Sequence, residues 1–264
     1  MAEEPGAPVT SGIEGALGVI ELNRPAKNNA FTRAAWEALS RAITEFEEPG
    51  AGVRVVLVRA RGENFCTGGD LIEAKQMMSD RARLDDFLRL VNDTIRQLER
   101  SRFPVVAACR GLALAGGLEL LLGCDVVFAS RTARFGDQHV QYGLVPAWGA
   151  SQRLPRAVGM SRALDLMYSG RWISAETAHA WGLVGYLVED EELESEALKY
   201  CMRLTARSAP GLAAMKELGR ASAALSLDEG LERERRAVLD VMAGPDPAEG
   251  IAAFEARRTP VFRG

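Results

Sequence analysis

Apolar positions along the chain change period several times, and each change marks an element. Gly18-Val19-Ile20-Glu21-Leu22 reads as a short strand ending at the turn signal Asn23-Arg24-Pro25. Thr32 stands where the N-cap of the next helix falls. Trp36, Leu39, Ile43 and Phe46 share one face of it, and Pro49-Gly50 closes it. Val53 to Arg59 is a nearly unbroken apolar run, the pattern of a strand buried on both faces. Leu84, Phe87, Leu88, Val91, Ile95 and Leu98 mark a long amphipathic helix that Pro104 stops. Val105 to Cys109 and Asp125 to Ala129 are two further buried strands.

From Pro146 onward the pattern is mostly helical. Ser174 is an N-cap for a helix ending at Gly182, and Ser208-Ala209-Pro210 separates two more. Leu227 to Met242 is a strongly charged helix. Pro245-Asp246-Pro247 opens a last one, with Ile251 and Phe254 on one face. Such a C-terminal segment packs on the core or reaches a neighbouring subunit.

Two stretches of the N-terminal half echo each other. Each runs apolar strand, Arg-Gly, short loop, Gly-Gly, acidic residue, once through Gly68-Gly69-Asp70 and once through Gly116-Gly117 and Glu119. The irregular repeat points to stacked strand-strand-helix turns rather than a closed barrel. Residues 1–12, rich in Glu, Pro, Gly and Ala, are expected to fray as a flexible N-terminus. A core over 13–200 and a helical C-terminal region over 201–264 follow.

Composition narrows the function. With 264 residues, 47% apolar and 26% charged, the chain has the profile of a soluble globular protein. A formal net charge of −4 argues against nucleic-acid binding by general charge. Cys66, Cys109, Cys124 and Cys201 show neither zinc-ligand spacing nor the density of a disulfide framework, so a reducing, cytoplasmic compartment is expected. Met1 to Pro8 has no basic start and no apolar core, so no secretory signal is read there. The longest apolar stretch, Gly111 to Gly123, falls short of the roughly 20 residues of a membrane helix, and no membrane partner is expected.

That stretch contains Glu119. Its helical neighbours Ala115, Gly116, Leu122 and Gly123 include no cation, and Leu118, Leu120, Leu121 and Leu122 surround it. A carboxylate buried there costs several kcal/mol unless it is paired or protonated. Its pKa is therefore expected to rise, which suits a general acid/base. The other reading is a buried salt bridge to a distant arginine, and periodicity alone does not choose between them. Gly68-Gly69 and Gly116-Gly117 permit close backbone approach. Amides of Gly116 at a helix start and of Gly69 would together cradle an oxyanion, although two ordinary tight turns would look the same. Of the two histidines, His179 reads as structural. His139 follows Phe135-Gly136-Asp137-Gln138, and in an extended stretch Asp137 and His139 would share a face, placing a carboxylate beside an imidazole. A loop histidine bonded to backbone is the plainer alternative. Phosphate-loop, dinucleotide, serine-hydrolase and zinc-protease motifs are absent.

Taken together the motifs resemble the enoyl-CoA hydratase/isomerase (crotonase) superfamily along nearly the whole chain. The matching stretches are Leu22 to Ala30, Phe65 to Leu71, Gly111 to Asp125, Phe135-Gly136 and Gly143-Leu144-Val145-Pro146. Gln152 to Pro155, Ala175-Glu176, Gly182-Leu183-Val184 and Phe254 to Phe262 extend the match. The resemblance implies an α/β fold, a crotonase-like spiral of repeated ββα units with a helical C-terminal trimerisation region, assembled as a homotrimer or a dimer of trimers. It implies an acyl-CoA substrate, with coenzyme A part of that substrate, no separate cofactor and no metal. It assigns the oxyanion hole to Gly69 and Gly116 and the principal acid/base to Glu119. It lines the CoA moiety with Lys27, Ala30, Gly68, Asp70, Leu71, Phe254 and Arg257. One position departs: where hydratases carry a second glutamate, this chain has His139, which also shuttles protons near neutral pH. Ala147 stands where dienoyl isomerases and dehalogenases carry aspartate. A hydratase-like lyase is the leading expectation, with a double-bond isomerase and a catalytically silent acyl-CoA-binding homologue as alternatives.

Overall fold

Apolar runs without alternation form strands only where both faces are covered, and this rule organises the protein. The computed structural model describes residues 6–263. Its larger sheet has strand order β1-β2-β3-β4-β6-β9 and its smaller sheet β5-β7-β8. The strands are β1 (Val9–Glu14), β2 (Leu17–Leu22), β3 (Val55–Ala60), β4 (Val105–Cys109), β5 (Leu112–Leu114), β6 (Val126–Ser130), β7 (Arg134–Gly136), β8 (Ile173–Ser174) and β9 (Tyr186–Val188). β1 pairs antiparallel with β2, and every later pair in the large sheet is parallel. Of the stretch expected to fray, residues 1–5 lie outside the described part. Val9 to Gly12 are instead held in β1, because their backbone pairs with Val19 to Leu22 in a hairpin.

Helices α1 (Arg33–Glu47), α2 (Leu71–Met77), α3 (Arg81–Arg100), α4 (Gly116–Gly123), α5 (Ala150–Val158), α6 (Met160–Ser169) and α7 (Ala175–Ala180) follow the strands. The C-terminal helices are α8 (Leu193–Thr205), α9 (Ala209–Ala221), α10 (Leu227–Met242) and α11 (Pro245–Glu255). The hydroxyl of Thr32 accepts from the amide of Ala35 and starts α1, as its position requires. Trp36, Leu39, Ile43 and Phe46 then enter the main core with Ile20, Val56, Val58, Val105 and Leu118. The opposite face of the large sheet (Leu17, Val19, Val55, Leu57, Val106, Phe128) is covered by Leu193, Ala197 and Cys201 of α8. The 200/201 division thus falls inside a helix that seals the sheet. Among the described residues, no helix is long and apolar enough to cross a membrane.

The repeated turns stack as a spiral. Each passes from a large-sheet strand to the small sheet and out through a helix: β4, β5, α4, then β6, β7, α5. The preceding turn joins through a bridge between Cys66 and Ala113. Phe65 N donates to Arg110 O, Cys66 N to Leu112 O, and Leu114 N to Cys66 O, so the two loops run side by side. Gly111 is required at this crossing: its φ is +57°, and a Cβ would meet Glu63 O at 2.0 Å. Gly-Gly pairs far apart in sequence thereby meet in space.

Candidate active site

Gly69 and Gly116 lie on adjacent spiral turns. A Cβ on their neighbour Gly68 would stand 3.2 Å from the Gly116 amide nitrogen. Among the described residues, neither the Gly69 nor the Gly116 amide has a hydrogen-bond acceptor. The backbone is strained at this point. Ala115, which caps α4, has φ +47° and ψ −117°, a conformation usually left to glycine. That strain turns the chain sharply out of β5 and presents Gly116 as the first residue of the helix. Sequence reading missed Ala115; its only signal is a non-glycine residue immediately before a Gly-Gly pair.

Glu119 is fully buried (0% exposed), one turn into α4. Among the described residues, no arginine is paired with it. Its Oε1 accepts hydrogen bonds from Trp148 N and Ala150 N, both 2.8 Å, at the N-terminus of α5. A helix start offers unpaired N–H groups to an anion, so α5 holds this carboxylate in place. Its Oε2 has no hydrogen-bond partner among the described residues. The charged neighbour of Oε2 is Nε2 of His139, 3.5 Å away, at ion-pair rather than hydrogen-bond distance.

The segment that carries His139 is not extended. β7 ends at Gly136, and a 3-10 turn runs from His139 to Tyr142. The expected contact forms by another route. Asp137 Oδ1 accepts from the His139 backbone N–H (3.2 Å) and faces His139 Nδ1 at 2.8 Å. An aspartate bonding to the backbone two residues on starts a turn in place of a strand. Burial works against a charge on His139. The hydrogen bond to Asp137 and the contact with Glu119 outweigh it, and the imidazole pKa is raised to about 9. His139 is therefore an imidazolium at neutral pH, its side chain 12% exposed between two buried carboxylates. His179 is structural in its contact: its Nδ1 lies 3.0 Å from Val184 O.

Trp148 escaped the sequence reading, although an aromatic residue in the loop Pro146-Ala147-Trp148-Gly149 is a signal for it. Its indole lies across the α-carbons of both candidate oxyanion glycines. A Cβ would meet it at 1.9 Å from Gly116 and 3.2 Å from Gly69. Trp36 packs edge-on against it at 4.9 Å between centroids. Trp148 thus supplies both an amide to Glu119 and a wall over the amide pair.

The expected CoA-lining residues divide. Phe31 N donates to Gly68 O and Thr67 N to Asn28 O, which draws Lys27, Ala30, Gly68, Asp70 and Leu71 into one neighbourhood. Asp70 caps α2 through Ile72 N and Glu73 N and pairs with Arg24 at 3.1 Å. Burial opposes this charge, yet the Arg24 contact and the amide bonds hold its carboxyl below the usual range. Phe254 (84% exposed) and Arg257 lie at the end of α11, and α11 packs on α10. Among the described residues, neither is hydrogen-bonded to Glu119, His139 or the glycine pairs.

Stacked strand-strand-helix turns around a buried acid, an imidazolium and two open amides define an α/β enzyme. The chain belongs to the enoyl-CoA hydratase/isomerase family, whose model matches residues 12–264. A probable enoyl-CoA hydratase of Rhizobium meliloti is 36% identical over 95% of both chains. The 1,2-epoxyphenylacetyl-CoA isomerase of Escherichia coli is 31% identical over 97% of this chain and 98% of its own. The enoyl-CoA hydratase structure from Bacillus anthracis superposes with a TM-score of 0.92 at 32% identity, covering 97% of this chain and 99% of that one. The fold is accordingly the crotonase-like spiral.

Proposed function

We propose that the protein is a hydratase-like lyase that adds water to a 2-enoyl-CoA thioester. The observation that carries this reading is the buried Glu119–His139 pair. A carboxylate able to accept a proton and an imidazolium able to donate one stand 3.5 Å apart in one site. Both can therefore touch the same water oxygen. Glu119 Oε2 takes a proton from water as the oxygen attacks the β-carbon, and His139 Nε2 gives a proton to the α-carbon. The enolate oxygen formed between these steps is held by the Gly69 and Gly116 amides, which meet no acceptor among the described residues. Lys27, Ala30, Gly68, Asp70 and Leu71 would line the CoA moiety, and Phe254 and Arg257 would add to it from the C-terminal helix, on the family pattern. Exposed Leu231, Val238, Leu239 and Met242 on α10 support assembly into a homotrimer or dimer of trimers.

A second reading, double-bond isomerisation, draws on Trp148. Its ring against both glycines narrows the room for a nucleophilic water, and the Escherichia coli relative is named an isomerase. Turnover of 2-enoyl and 3-enoyl thioesters in ¹⁸O-water separates the readings. Label in the acyl product supports hydration. A shifted double bond without label supports isomerisation. Binding without turnover supports a silent homologue.

A further inference from the structure

We propose that Asp137 is a positioning residue of this site: with His139 and Glu119 it forms a buried carboxylate–imidazole–carboxylate relay that fixes which imidazole nitrogen faces the reacting carbons. The proposal rests on the hydration reading for its chemistry and on contacts of its own for its geometry.

Asp137 is fully buried in the short loop after β7. Among the described residues, His139 is its ion-pair partner. Its Oδ1 takes both the backbone amide and Nδ1 of His139, which leaves Nε2 as the only ring nitrogen free to face Glu119 at 3.5 Å. Its Oδ2 has no hydrogen-bond partner among the described residues. The charged groups facing His139 are Asp137 from this loop and Glu119 from α4. α6 also packs on the 3-10 turn, and its C-terminus gives that segment the Gly170 carbonyl, which accepts from Gln138 and Gln141. The adjacent turn is thus tied down on its outer side, while the imidazole is steered by two carboxylates only.

The relay closes the proton balance. Water loses a proton to Glu119 Oε2 and its oxygen bonds to the β-carbon. His139 loses the Nε2 proton to the α-carbon. The site then holds a protonated Glu119 and a neutral imidazole still bonded through Nδ1–H to Asp137. Transfer of the Glu119 proton back to Nε2 restores the starting state without help from solvent. Asp137 makes this return productive, because with Nδ1–H engaged the only vacant ring position is Nε2.

Two measurements test the proposal on the full-length protein. Imidazole NMR titration reads His139 directly, with the His139→Gln spectrum identifying the single remaining signal as His179. In the unaltered protein the His139 signal should titrate well above the ordinary histidine value near ~6.5 with Nδ1 protonated, and Asp137→Asn should lower its midpoint by more than about one unit. With a four-carbon 2-enoyl-CoA as probe, Asp137→Asn should lower kcat at least about 100-fold with KM little changed. Asp137→Glu should recover part of the loss. Titration of the unaltered His139 at or below ~6.5 overturns the relay, and this reading does not depend on whether any variant folds. An unmoved midpoint in a folded Asp137→Asn protein also overturns it. A moved midpoint with unchanged kcat overturns its part in turnover while leaving Glu119 as base. Absence of turnover in the unaltered protein, with the NMR behaviour intact, sinks the hydration reading instead.

Discussion

The two ends of α4 carry two acidic clusters, one buried and one half-buried, built from similar residues and finished differently. At its C-terminal end Asp125 is saturated. Oδ2 accepts from Val105 N and pairs with Lys216 Nζ, both at 2.8 Å. Oδ1 accepts from Arg220 at 3.0 and 2.7 Å. Arg220 also donates to Gly123 O and Cys124 O, placing a cation on the last carbonyls of the helix, where the dipole favours it. Lys216 donates to Leu98 O, Ser101 Oγ and Phe103 O. Burial nevertheless pulls its ammonium below the usual lysine range, against the pull of Asp125. At the other end, Glu119 and Asp137 each keep one oxygen without a hydrogen bond among the described residues. The two clusters thus differ in whether their carboxylates are fully paired within the protein. A saturated carboxylate locks α9 onto the core, whereas an open one keeps capacity for a proton or a water.

The largest effect should come from blunting the open end. Glu119→Gln is expected to lower kcat by about 10⁴-fold, roughly 5.5 kcal/mol, with thioester binding nearly unchanged by titration calorimetry. Retained turnover would remove Glu119 from the chemistry. At the saturated end, Asp125→Ala strands Lys216 inside the protein. Urea unfolding should show a loss of about 3–5 kcal/mol, with kcat of the folded enzyme kept. A loss confined to activity would reverse the comparison.

The two ends are also joined. Arg153 grips Glu99 through two bonds (2.7 and 2.8 Å) and donates to Trp148 O, whose own amide holds Glu119. Glu99 lies 3.6 Å from Arg220. Arg153→Met should therefore loosen the loop and lower kcat about 100-fold, since small misplacements of catalytic groups are costly. Unchanged kcat would mean the two clusters work independently.

The smallest effect is a pH slope. The His139 pKa rises on folding to about 9. Its stabilising contribution is therefore whole below the unfolded value near ~6.5 and fades as pH climbs through the folded one. The unfolding free energy from urea titration should fall by about 2 kcal/mol between about pH 7 and 9, and His139→Gln should lack that slope.

Local signals foretold most elements because they rest on neighbours in the chain. Thr32 caps a helix and α10 spans the charged run Leu227–Met242 for reasons contained in a few residues. Where expectation and structure part, a distant group intervenes. Asp125, read as the first residue of a strand, stands just before β6, its amide donating to Val105 O and its carboxylate held by Lys216 and Arg220 from a helix far along the chain. Val9 to Gly12 are ordered by a hairpin partner that composition does not reveal.

By itself the sequence determined the order of strands and helices, the burial of Glu119 among leucines, and the glycines that let one turn of chain lie against the next. These follow from periodicity and from the steric reach of single residues. Only the tertiary structure decided what Glu119 touches. Amides from a loop some thirty residues on, an imidazole on a 3-10 turn, and an indole over two glycines converge there. No spacing rule encodes that convergence, because stacking of separate spiral turns sets those distances.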